Sequence, residues 1–533
     1  MFFFSPHPKV ILDRHLSLAI VLILWVGAGL PAFSKDAADR FFSYSELSAL
    51  YQHEEPQPEL RAKLDRVLTT PFVLNNGRLR QSFKADPHLG EFLRVAHWNI
   101  QRGTRLDAIK ALFAGEADLK SLLDPEEFEA GSDRLEQILR EAEMLRAADV
   151  IILNEVDWGM KPTGYRNVAA ELADLLGMHY AFGVQFIELS PIYLAERFEP
   201  ADEAERELME IFRVDPESYK GLHGIAILSR FPLENVRLVP FEHQPYDWYR
   251  KEKRGPSIVE KGKRGIAKTV FREETLREIR RGGRTTLIAD IVDERLPTGR
   301  ATIAATHLEN RAKPRDRGIQ FSELLRELKT VSGPVILAGD LNTSTSDLTP
   351  TSIRREIMMR IGDPKYWMRQ AATYALGIGL LEGVILSGIT FGRKHSDPTV
   401  KHIPFIAPNP ERKLFDALKK FRFDDGSAFD LRGDKERSVG GKGKSFANSN
   451  QRGKKGFVTT YQVARPIMFI GKYKLDWIFV KPGELRAPFA KNGPYRFAPH
   501  FGRTLTTVNE AVEDRISDHR PMVVDLPLGE PKI

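Results

Sequence analysis

Two short polar motifs, far apart in this chain of 533 residues, carry side chains that could do chemistry together. The motifs Gly-Asp-Leu-Asn (339–342) and Ser-Asp-His (517–519) each lie close to an apolar run that is typical of a buried strand. Because side chains alternate along a strand, Asp340 and Asn342 project to the same side. An acid and an amide at one strand end, with an Asp-His pair brought in from elsewhere, suit metal-assisted attack of water on phosphorus.

Further polar side chains lie at the ends of apolar runs or within them. Asn99 and Glu155 each close such a run, His307 lies near the end of a third, and Asp476 lies inside a fourth. The runs are Val95–Asn99, Asp149–Glu155, Thr302–Leu308 and Lys474–Val480, and Gly224–Arg230 is another strand of the same type.

Helical patterns over Asp133–Ala148 and Asn167–Leu176 alternate with these strands and predict an α/β domain built in layers. The ordered fragments, from about Arg94 to about Leu526, resemble the endonuclease/exonuclease/phosphatase superfamily of deoxyribonuclease-like, metal-dependent phosphoesterases. The pattern that follows His307 is nearest to its bacterial exported or uncharacterised branch. The resemblance implies a four-layer α/β sandwich, in which two mixed β-sheets are flanked by helices, with a long insertion late in the domain.

The resemblance also implies a metal site for Mg²⁺ or Mn²⁺. Glu155 matches the position that binds the metal in the family, so it is the principal expected ligand. Asn99 is expected to help orient the metal or the phosphate, and Asp518 to support the metal site. Carboxylate and amide oxygens are the ligands that such hard cations prefer.

The resemblance implies catalytic roles for five more residues. Asp340 would orient or deprotonate the attacking water, and Asn342 would hydrogen-bond a phosphoryl oxygen. His519 would contact the phosphate or the water, with Asp476 fixing its tautomer and orientation. His307 would stabilise the transition state or protonate the leaving oxygen.

The composition is that of a globular protein with a mildly basic balance. Lysine and arginine exceed aspartate and glutamate by 79 − 72 = 7, and there is no cysteine. Disulfides, zinc–thiolate sites and cysteine nucleophiles are therefore excluded. The basic balance fits an anionic partner but is also common in proteins that have none.

A basic run extends from Arg250 to Arg284, diluted by glutamates. It has two interpretations, a solvated helix face or a track for phosphate groups. On the second interpretation the candidate substrate-binding residues are Lys261, Lys263 and Arg264, and Arg311 is a further candidate.

The chain is expected to form one large domain with insertions. Residues 1–34 would be a signal peptide or anchor, residues 35–90 a linker with short helices, and residues 91–530 the phosphoesterase domain. Insertions are expected at about 188–221, as a surface helical excursion, and at about 345–466. The second insertion has an apolar half, Ala371–Leu386, and a half rich in glycine and lysine, Gly440–Gly456.

The sequence predicts a metal-dependent phosphoester hydrolase, of the phosphodiesterase or endonuclease kind, acting as a monomer. The substrate would be nucleic acid, or alternatively a phospholipid, an inositol phosphate or a small phosphodiester, as in sphingomyelinases. From a different class, the chain could be a binding or effector module without catalysis. The basic run favours nucleic acid, whereas the N-terminal segment and the apolar half of the insertion favour lipid.

The N-terminus predicts a location outside the cytoplasm, periplasmic or secreted. Lys9 and Arg14 precede the apolar stretch Leu16–Leu30, and small residues follow at Ala32 and Ser34. This order is typical of a cleaved secretory signal. An uncleaved membrane anchor is the alternative, because the stretch approaches the length that spans a bilayer.

We therefore predict that the mature chain begins near Lys35 in an extracytoplasmic compartment. Signal peptidases cleave after small residues, and Ala32 and Ser34 supply them. N-terminal sequencing of protein isolated from its native host measures this directly. An intact Met1 would contradict cleavage and leave the anchored or cytosolic alternatives.

Overall fold

The computed structural model describes residues 39–78, 83–123, 133–192, 213–254, 278–343, 412–431, 446–447, 450–451, 459–467, 470–483, 494–512 and 515–532. The chain divides into two compact units, Met1–Phe42 and Ser43–Ile533. The expected signal or anchor, residues 1–34, lies outside the described residues. Within the described ranges, no helix combines the length and the apolar character needed to cross a bilayer.

Helices and strands alternate over most of the second unit. The helices are α1 (Tyr44–Gln52), α2 (Pro58–Thr69), α3 (Leu106–Ala114), α4 (Glu116–Leu122), α5 (Asp133–Arg146), α6 (Val168–Leu176), α7 (Trp248–Lys253), α8 (Pro314–Leu328) and α9 (Arg412–Lys420). The strands are β1 (Phe72–Leu74), β2 (Lys84–Asp86), β3 (Gly90–Arg102), β4 (Val150–Trp158), β5 (His179–Glu188), β6 (Leu222–Ser229), β7 (Leu233–Pro240), β8 (Arg280–Gly282), β9 (Thr285–Val292), β10 (Arg300–His307), β11 (Val335–Asp340), β12 (Phe446–Ala447), β13 (Asn450–Gln451), β14 (Tyr461–Ile467), β15 (Ile470–Tyr473), β16 (Asp476–Lys481), β17 (Phe501–Thr504) and β18 (Met522–Pro527). Short 3₁₀ turns lie at Lys161–Thr163, Pro297–Gly299 and Val508–Glu510.

Two mixed sheets form the centre of the unit. The first has the order β1-β5-β6-β4-β3-β18-β17, with β2 beside β3 and β8 beside β5. The second has the order β16-β11-β10-β9-β7. The β3–β4 and β10–β11 pairs are parallel, and the remaining pairs of these sheets are antiparallel.

The main core lies between the two sheets, and each sheet has helices on its outer side. Strands of both sheets supply the buried apolar side chains of this core, such as Val95, Ile152, Ile303, Ile336 and Ile478. Helices α8 and α9 cover the second sheet, and α6 packs on the first with α3 beside it. The predicted four-layer α/β sandwich is confirmed.

The expected helices and strands form where their patterns indicate. Helix α6 begins after Asn167, whose side chain accepts the amide hydrogen of Ala170 as an N-cap, and ends at Gly177 in the left-handed conformation. Helix α5 buries Leu135, Ile138 and Leu145 on one face, as its amphipathic pattern predicts.

The prediction of a linker over residues 35–90 needs correction. The short helices are present, but α1 and α2 bury side chains such as Leu47, Leu50 and Val67. Strand β1 is an edge strand of the first sheet, and β2 pairs with β3. The segment from Ser43 onward belongs to the same compact unit because its apolar side chains and strand edges are used within it.

The first insertion, residues 188–221, is described only at its two ends. Glu188 is the last residue of β5 and is buried, and the hydroxyl of the buried Tyr219 donates to its carbonyl oxygen at 2.7 Å. The insertion therefore joins the core where it leaves β5 and at Tyr219, whereas Asp215, Pro216 and Glu217 are exposed. Residues 193–212, which carry the predicted helix, lie outside the described residues.

The second insertion, residues 345–466, is also only partly described. Ala371–Leu386 and most of Gly440–Gly456 lie outside the described residues. Helix α9, in the middle of the insertion, packs against α8 and β16: the rings of Phe415 and Trp477 meet edge to face, with centroids 5.0 Å apart. The insertion therefore supplies one of the helices that cover the second sheet.

We predict that Phe415→Ala lowers the free energy of unfolding by about 3–5 kcal/mol, because a fully buried aromatic side chain leaves a cavity. Lys420→Ala, an exposed position on the same helix, is the matched control and should change it by less than about 0.5 kcal/mol. Denaturant unfolding of the two variants and the parent measures both changes. Equal stabilities of all three proteins would contradict the packing of α9.

Candidate active site

Strand register brings three of the predicted residues into one line. His307 lies opposite Asp340 in the parallel β10–β11 pair, and Asp340 lies opposite Asp476 in the antiparallel β11–β16 pair. In the other sheet, Asn99 of β3 lies opposite Asn154 of β4. Polar side chains from both sheets therefore meet at one edge of the sandwich, where the apolar core ends.

A buried acid–imidazole pair lies at the centre of this edge. His519, in the loop before β18, has its Nδ1 2.7 Å from Oδ2 of Asp476. Its other nitrogen, Nε2, lies 3.7 Å from Oδ2 of Asp340. Burial alone would lower the pKa of His519, but the negative charge of Asp476 and the hydrogen bond to it raise the pKa to about 10. The imidazole is therefore positively charged at neutral pH.

The pKa values of the two aspartates of this group are shifted in opposite directions. Burial raises the pKa of Asp340 to about 6, against the opposing charge of His519 and with the help of the negative charge of Asp476. Burial would also raise the pKa of Asp476, but the charge and hydrogen bond of His519, with the hydrogen bond from His97, hold it below its ordinary value. Asp476 is the permanent anion, and Asp340 can exchange a proton close to neutral pH.

The environment of Asp340 fixes its carboxylate. The backbone amide of Asn342 donates to Oδ1 at 2.8 Å, and the side-chain amide of Asn99 donates to Oδ2 at 3.3 Å. The backbone amide of Asp340 donates to Oδ1 of Asn154 at 2.8 Å, which ties the two sheets together. Asp340 therefore contacts two of the other candidate residues, Asn99 and Asn342.

His307 is buried and neutral in this arrangement. The side-chain amide of Asn342 donates to Nε2 of His307 at 3.1 Å and to the carbonyl oxygen of Leu308 at 3.0 Å. Because Nε2 accepts, the proton of the neutral ring lies on Nδ1. Burial, followed by the positive charge of Arg284, holds the pKa of His307 well below its ordinary value. That state disfavours protonation of a leaving oxygen by His307.

Two predicted metal ligands lie at the more open side of the edge. Glu155, at the bulge within β4, and Asp518, beside His519, are both half-buried. Burial raises the pKa of Asp518, and the nearby negative charge of Glu155 raises it further. Among the described histidine, aspartate and glutamate residues, the ligand atoms of Asp340, Asp476 and His519 also converge, within 4.8 Å of one another.

These donors fit a hard divalent cation. Carboxylate oxygens dominate the set, and the repulsion between Glu155 and Asp518 is of the kind that a bound cation removes. The converging triplet fits less well as a ligand set, because both oxygens of Asp476 are already hydrogen-bonded, to His97 and to His519. The amide oxygen of Asn99 accepts from the backbone of Gln101 at 3.1 Å, which orients that side chain.

Irregular backbone forms the edge of the site. Strand β4 has a bulge between Leu153 and Val156, and Glu155 within it has a φ of 52°. Asn342, two residues beyond Asp340, has a φ of 49°. Non-glycine residues adopt this left-handed region at a cost of about 1–3 kcal/mol, and such residues cluster at functional sites. Bulges are likewise common beside active sites, because they redirect a side chain.

The described part of the basic run is exposed at its start, on α7, and buried at its end, at Arg280 and Arg284. Arg250 on α7 is paired with Glu54, and Arg280 is buried, with its guanidinium 4.0 Å from the ring centroid of Trp248. Nε of the buried Arg284 lies 3.5 Å from the carboxylate of Glu309. Arg250 is compatible with the solvated helix face, whereas Arg280 and Arg284 fit neither that interpretation nor a free phosphate track, because aromatic rings and glutamates surround them. The run supports the wall of the domain beside His307.

Of the four candidate substrate-binding residues, Arg311 is among the described residues and the other three are not. Arg311 lies in that same wall: its Nη1 is 3.4 Å from the carboxylate of Glu252, and its guanidinium is 5.2 Å from the ring centroid of Trp248. Lys261, Lys263 and Arg264 lie outside the described residues.

Several residues that the sequence reasoning missed belong to the site. His97 and Asn154 contact Asp476 and Asp340, as their distances show. The hydroxyl of Thr460 accepts the backbone amide of Asp476 at 3.2 Å, and the ring of Tyr461 lies 4.9 Å from that of His519. His97 had a detectable signal, because it lies two residues before Asn99 and so on the same side of β3. Thr460 and Tyr461 lie near the end of the long insertion, and no local pattern marked them.

The fold and the site agree with the match of the sequence to a family profile. The profile of the Endonuclease/Exonuclease/phosphatase family matches residues 96–519, so the chain belongs to this family. Its members are hydrolases that act on phosphoester bonds and typically depend on divalent metals. The matched range begins on β3 and ends at His519, and it contains the residues of the polar edge.

Solved structures from three organisms are similar to the chain at low sequence identity. An endonuclease/exonuclease/phosphatase from Beutenbergia cavernae is 17% identical, with a TM-score of 0.34, covering 82% of this chain and 72% of that chain. A 3′–5′ exonuclease from Neisseria meningitidis is 14% identical, with a TM-score of 0.36, covering 81% of this chain and 99% of its own. An AP endonuclease from Archaeoglobus fulgidus is 11% identical, with a TM-score of 0.34, covering 81% and 98%. No curated protein sequence matches the chain significantly.

We predict that Asp340→Asn changes how stability depends on pH. The pKa of Asp340 is raised from 3.8 to about 6, so its favourable contribution is present below about pH 4 and is lost as pH rises through about 6. The asparagine does not titrate. In metal-free buffer, the free energy of unfolding of the variant minus that of the parent should therefore be higher at about pH 8 than at about pH 4, by on the order of 1–3 kcal/mol.

Denaturant unfolding of parent and variant at several pH values measures this shift. Asp118→Asn, at an exposed position on α4, supplies the baseline for replacing a carboxylate by an amide. A shift in the opposite direction, or one equal to that of Asp118→Asn, would contradict the assignment of a raised pKa to Asp340.

Proposed function

We propose that the protein is a metal-dependent phosphodiesterase, in which a water molecule held by Asp340 attacks phosphorus. The observation that carries this proposal is the pairing of Asp340, whose pKa is raised to about 6, with the charged imidazole of His519 at 3.7 Å. A general base works best when its pKa lies close to the working pH, and a fixed positive charge stabilises a developing phosphoryl anion.

Glu155 and Asp518 would hold the cation, Mg²⁺ or Mn²⁺, with Asn99 beside them. When bound, such a cation neutralises phosphoryl oxygens. Asp340 then receives the proton of the attacking water on a carboxylate whose Oδ2 is held by Asn99 and whose Oδ1 is held by the backbone of Asn342. This division of roles supports hydrolysis rather than transfer to a protein nucleophile, because the described site offers a base and no activated serine or cysteine.

The two histidines would have different tasks. His519 is held by Asp476 through Nδ1, so Nε2 is the nitrogen that can donate to the phosphate. His307 is neutral and anchors Asn342, whose amide lies between His307 and Leu308. Both hydrogens of that amide are already donated, so we assign His307 and Asn342 to fixing the backbone beside Asp340 rather than to hydrogen-bonding the phosphoryl group, and we do not assign proton transfer to His307.

The substrate would carry phosphate, and we propose its class from the charge of the chain. Nucleic acid remains the first candidate, since the chain carries a net charge of +7. The described arginines of the basic run are engaged with glutamates and aromatic rings, so they add no support for a backbone track. Phospholipid and inositol phosphate substrates stay as alternatives, and a panel of substrates separates them.

We predict that hydrolysis requires a divalent metal and falls at least about 100-fold in Glu155→Ala, Asp340→Ala and His519→Ala, while the fold is retained. The variants remove a metal ligand, the base and the fixed positive charge. Initial rates on plasmid DNA, RNA, sphingomyelin, inositol phosphates and aryl phosphodiesters, with Mg²⁺, Mn²⁺ or EDTA, measure the effect.

Glu59→Ala, an exposed carboxylate on α2, is the control for the loss of one negative charge. It should keep the parental rate. Equal hydrolysis in EDTA and in Mg²⁺ would contradict the metal-dependent mechanism. Activity that persists in all three site variants would show that this site does not catalyse the reaction.

A further inference from the structure

His97 is a buried histidine beneath the polar edge to which the proposed reaction gives no role. It lies on β3, two residues before Asn99, and has no solvent exposure. Its Nε2 is 3.0 Å from Oδ1 of Asp476, and its Nδ1 is 3.2 Å from the carbonyl oxygen of Ile152. Both polar atoms of the ring therefore have a partner, and one of these partners is the acid that holds His519.

Asp476 is consequently held by two imidazoles. His519 occupies Oδ2 at 2.7 Å and His97 occupies Oδ1 at 3.0 Å. The backbone amide of Asp476 is fixed as well, because it donates to the hydroxyl of Thr460. A carboxylate with one side-chain partner can still rotate about its terminal torsion, whereas partners on both oxygens fix its plane.

The surroundings of His97 indicate why a polar ring is present there. Apolar side chains of the core between the sheets, among them Val95, Ile152, Ile478 and Met522, lie on the strands around it. An imidazole in such a place loses its hydration, a cost that only hydrogen bonds offset. An apolar side chain would fill the same volume without that cost. The contact with Asp476 is what a histidine provides here and an apolar residue does not.

We propose that His97 is a positioning residue, whose hydrogen bond fixes the carboxylate of Asp476 and through it the orientation of His519. This inference rests on the proposed function, because His519 is the group whose orientation matters for the reaction. His97 touches no substrate, so its loss should lower kcat and leave KM unchanged.

The test compares His97→Leu with His97→Gln. Leucine keeps the approximate volume but removes the donor, and the amide nitrogen of glutamine lies at about the position of Nε2 and restores it. We expect kcat to fall by about 10- to 100-fold in His97→Leu and to return to within a few-fold of the parent in His97→Gln, with KM unchanged in both. His500→Leu is the matched control.

His500 suits that purpose because it is also a fully buried histidine beside a buried acid. Its Nε2 lies 3.3 Å from Oδ2 of Asp430. The backbone amide of Asp430 donates to the carbonyl oxygen of Val480, which lies near the opposite end of β16 from Asp476. His500→Leu should lower the melting temperature about as much as His97→Leu does. Its kcat should stay at the parental value.

A second readout needs no activity. In protein with ¹⁵N-labelled histidine and no substrate, the Nδ1–H of His519 should give a slowly exchanging downfield proton signal. We expect His97→Leu to shift or broaden this signal, whereas His97→Gln and His500→Leu retain it. If the parent hydrolyses no phosphoester, the proposed function fails, and this signal alone still decides the role of His97.

If His97→Leu folds, two results would overturn the inference. One is a folded His97→Leu with parental kcat and an unchanged His519 signal. The other is a loss of kcat and of melting temperature that is equal in His97→Leu, His97→Gln and His500→Leu, which would show a purely structural role. If His97→Leu does not fold, a His97→Gln protein that lacks the His519 signal also overturns it.

Discussion

Asp476 and His519 are joined by a hydrogen bond of 2.7 Å at a place where neither side chain is exposed to solvent. The rest of the site depends on this bond. Four carboxylates lie at one edge of the sandwich, and their charges are costly to bury unless they are compensated. His519 supplies positive charge on one side, so Asp476 stays ionised. The pKa of Asp340 is raised to about 6, so Asp340 can gain or lose a proton close to neutral pH. Glu155 and Asp518 remain on the other side, where their repulsion is suited to a cation.

The sandwich imposes this arrangement through strand register. One parallel and one antiparallel pairing put His307, Asp340 and Asp476 side by side, so no loop has to place them. The loops adjust what the strands bring together. The bulge at Glu155 and the left-handed backbone at Asn342 store strain that the packed sheets on either side must hold. A rigid frame with strained ends is well suited to fixing a base and its partners before substrate binds.

Much of this could be predicted from the sequence. The apolar runs predicted the strands, and the positions of Asp340, Glu155 and His519 beside those runs predicted the edge at which they meet. His97 was missed although alternation along β3 places it beside Asn99, because its apolar neighbours made it look like part of the core. Thr460 could not be found, since its contact depends on how the chain returns to the site near the end of a long insertion. The burial of Arg280 and Arg284 was likewise hidden, because their partners Trp248 and Glu309 are distant in sequence.

The central claim is that water attacks phosphorus directly, in one step, at this edge. The stereochemistry of hydrolysis at phosphorus tests it most directly. A chiral phosphorothioate version of the best phosphodiester substrate is hydrolysed in ¹⁸O-labelled water, and the configuration of the product is determined. A single in-line displacement by water predicts inversion at phosphorus. Retention would show two displacements and a covalent intermediate on the protein, and would contradict the account.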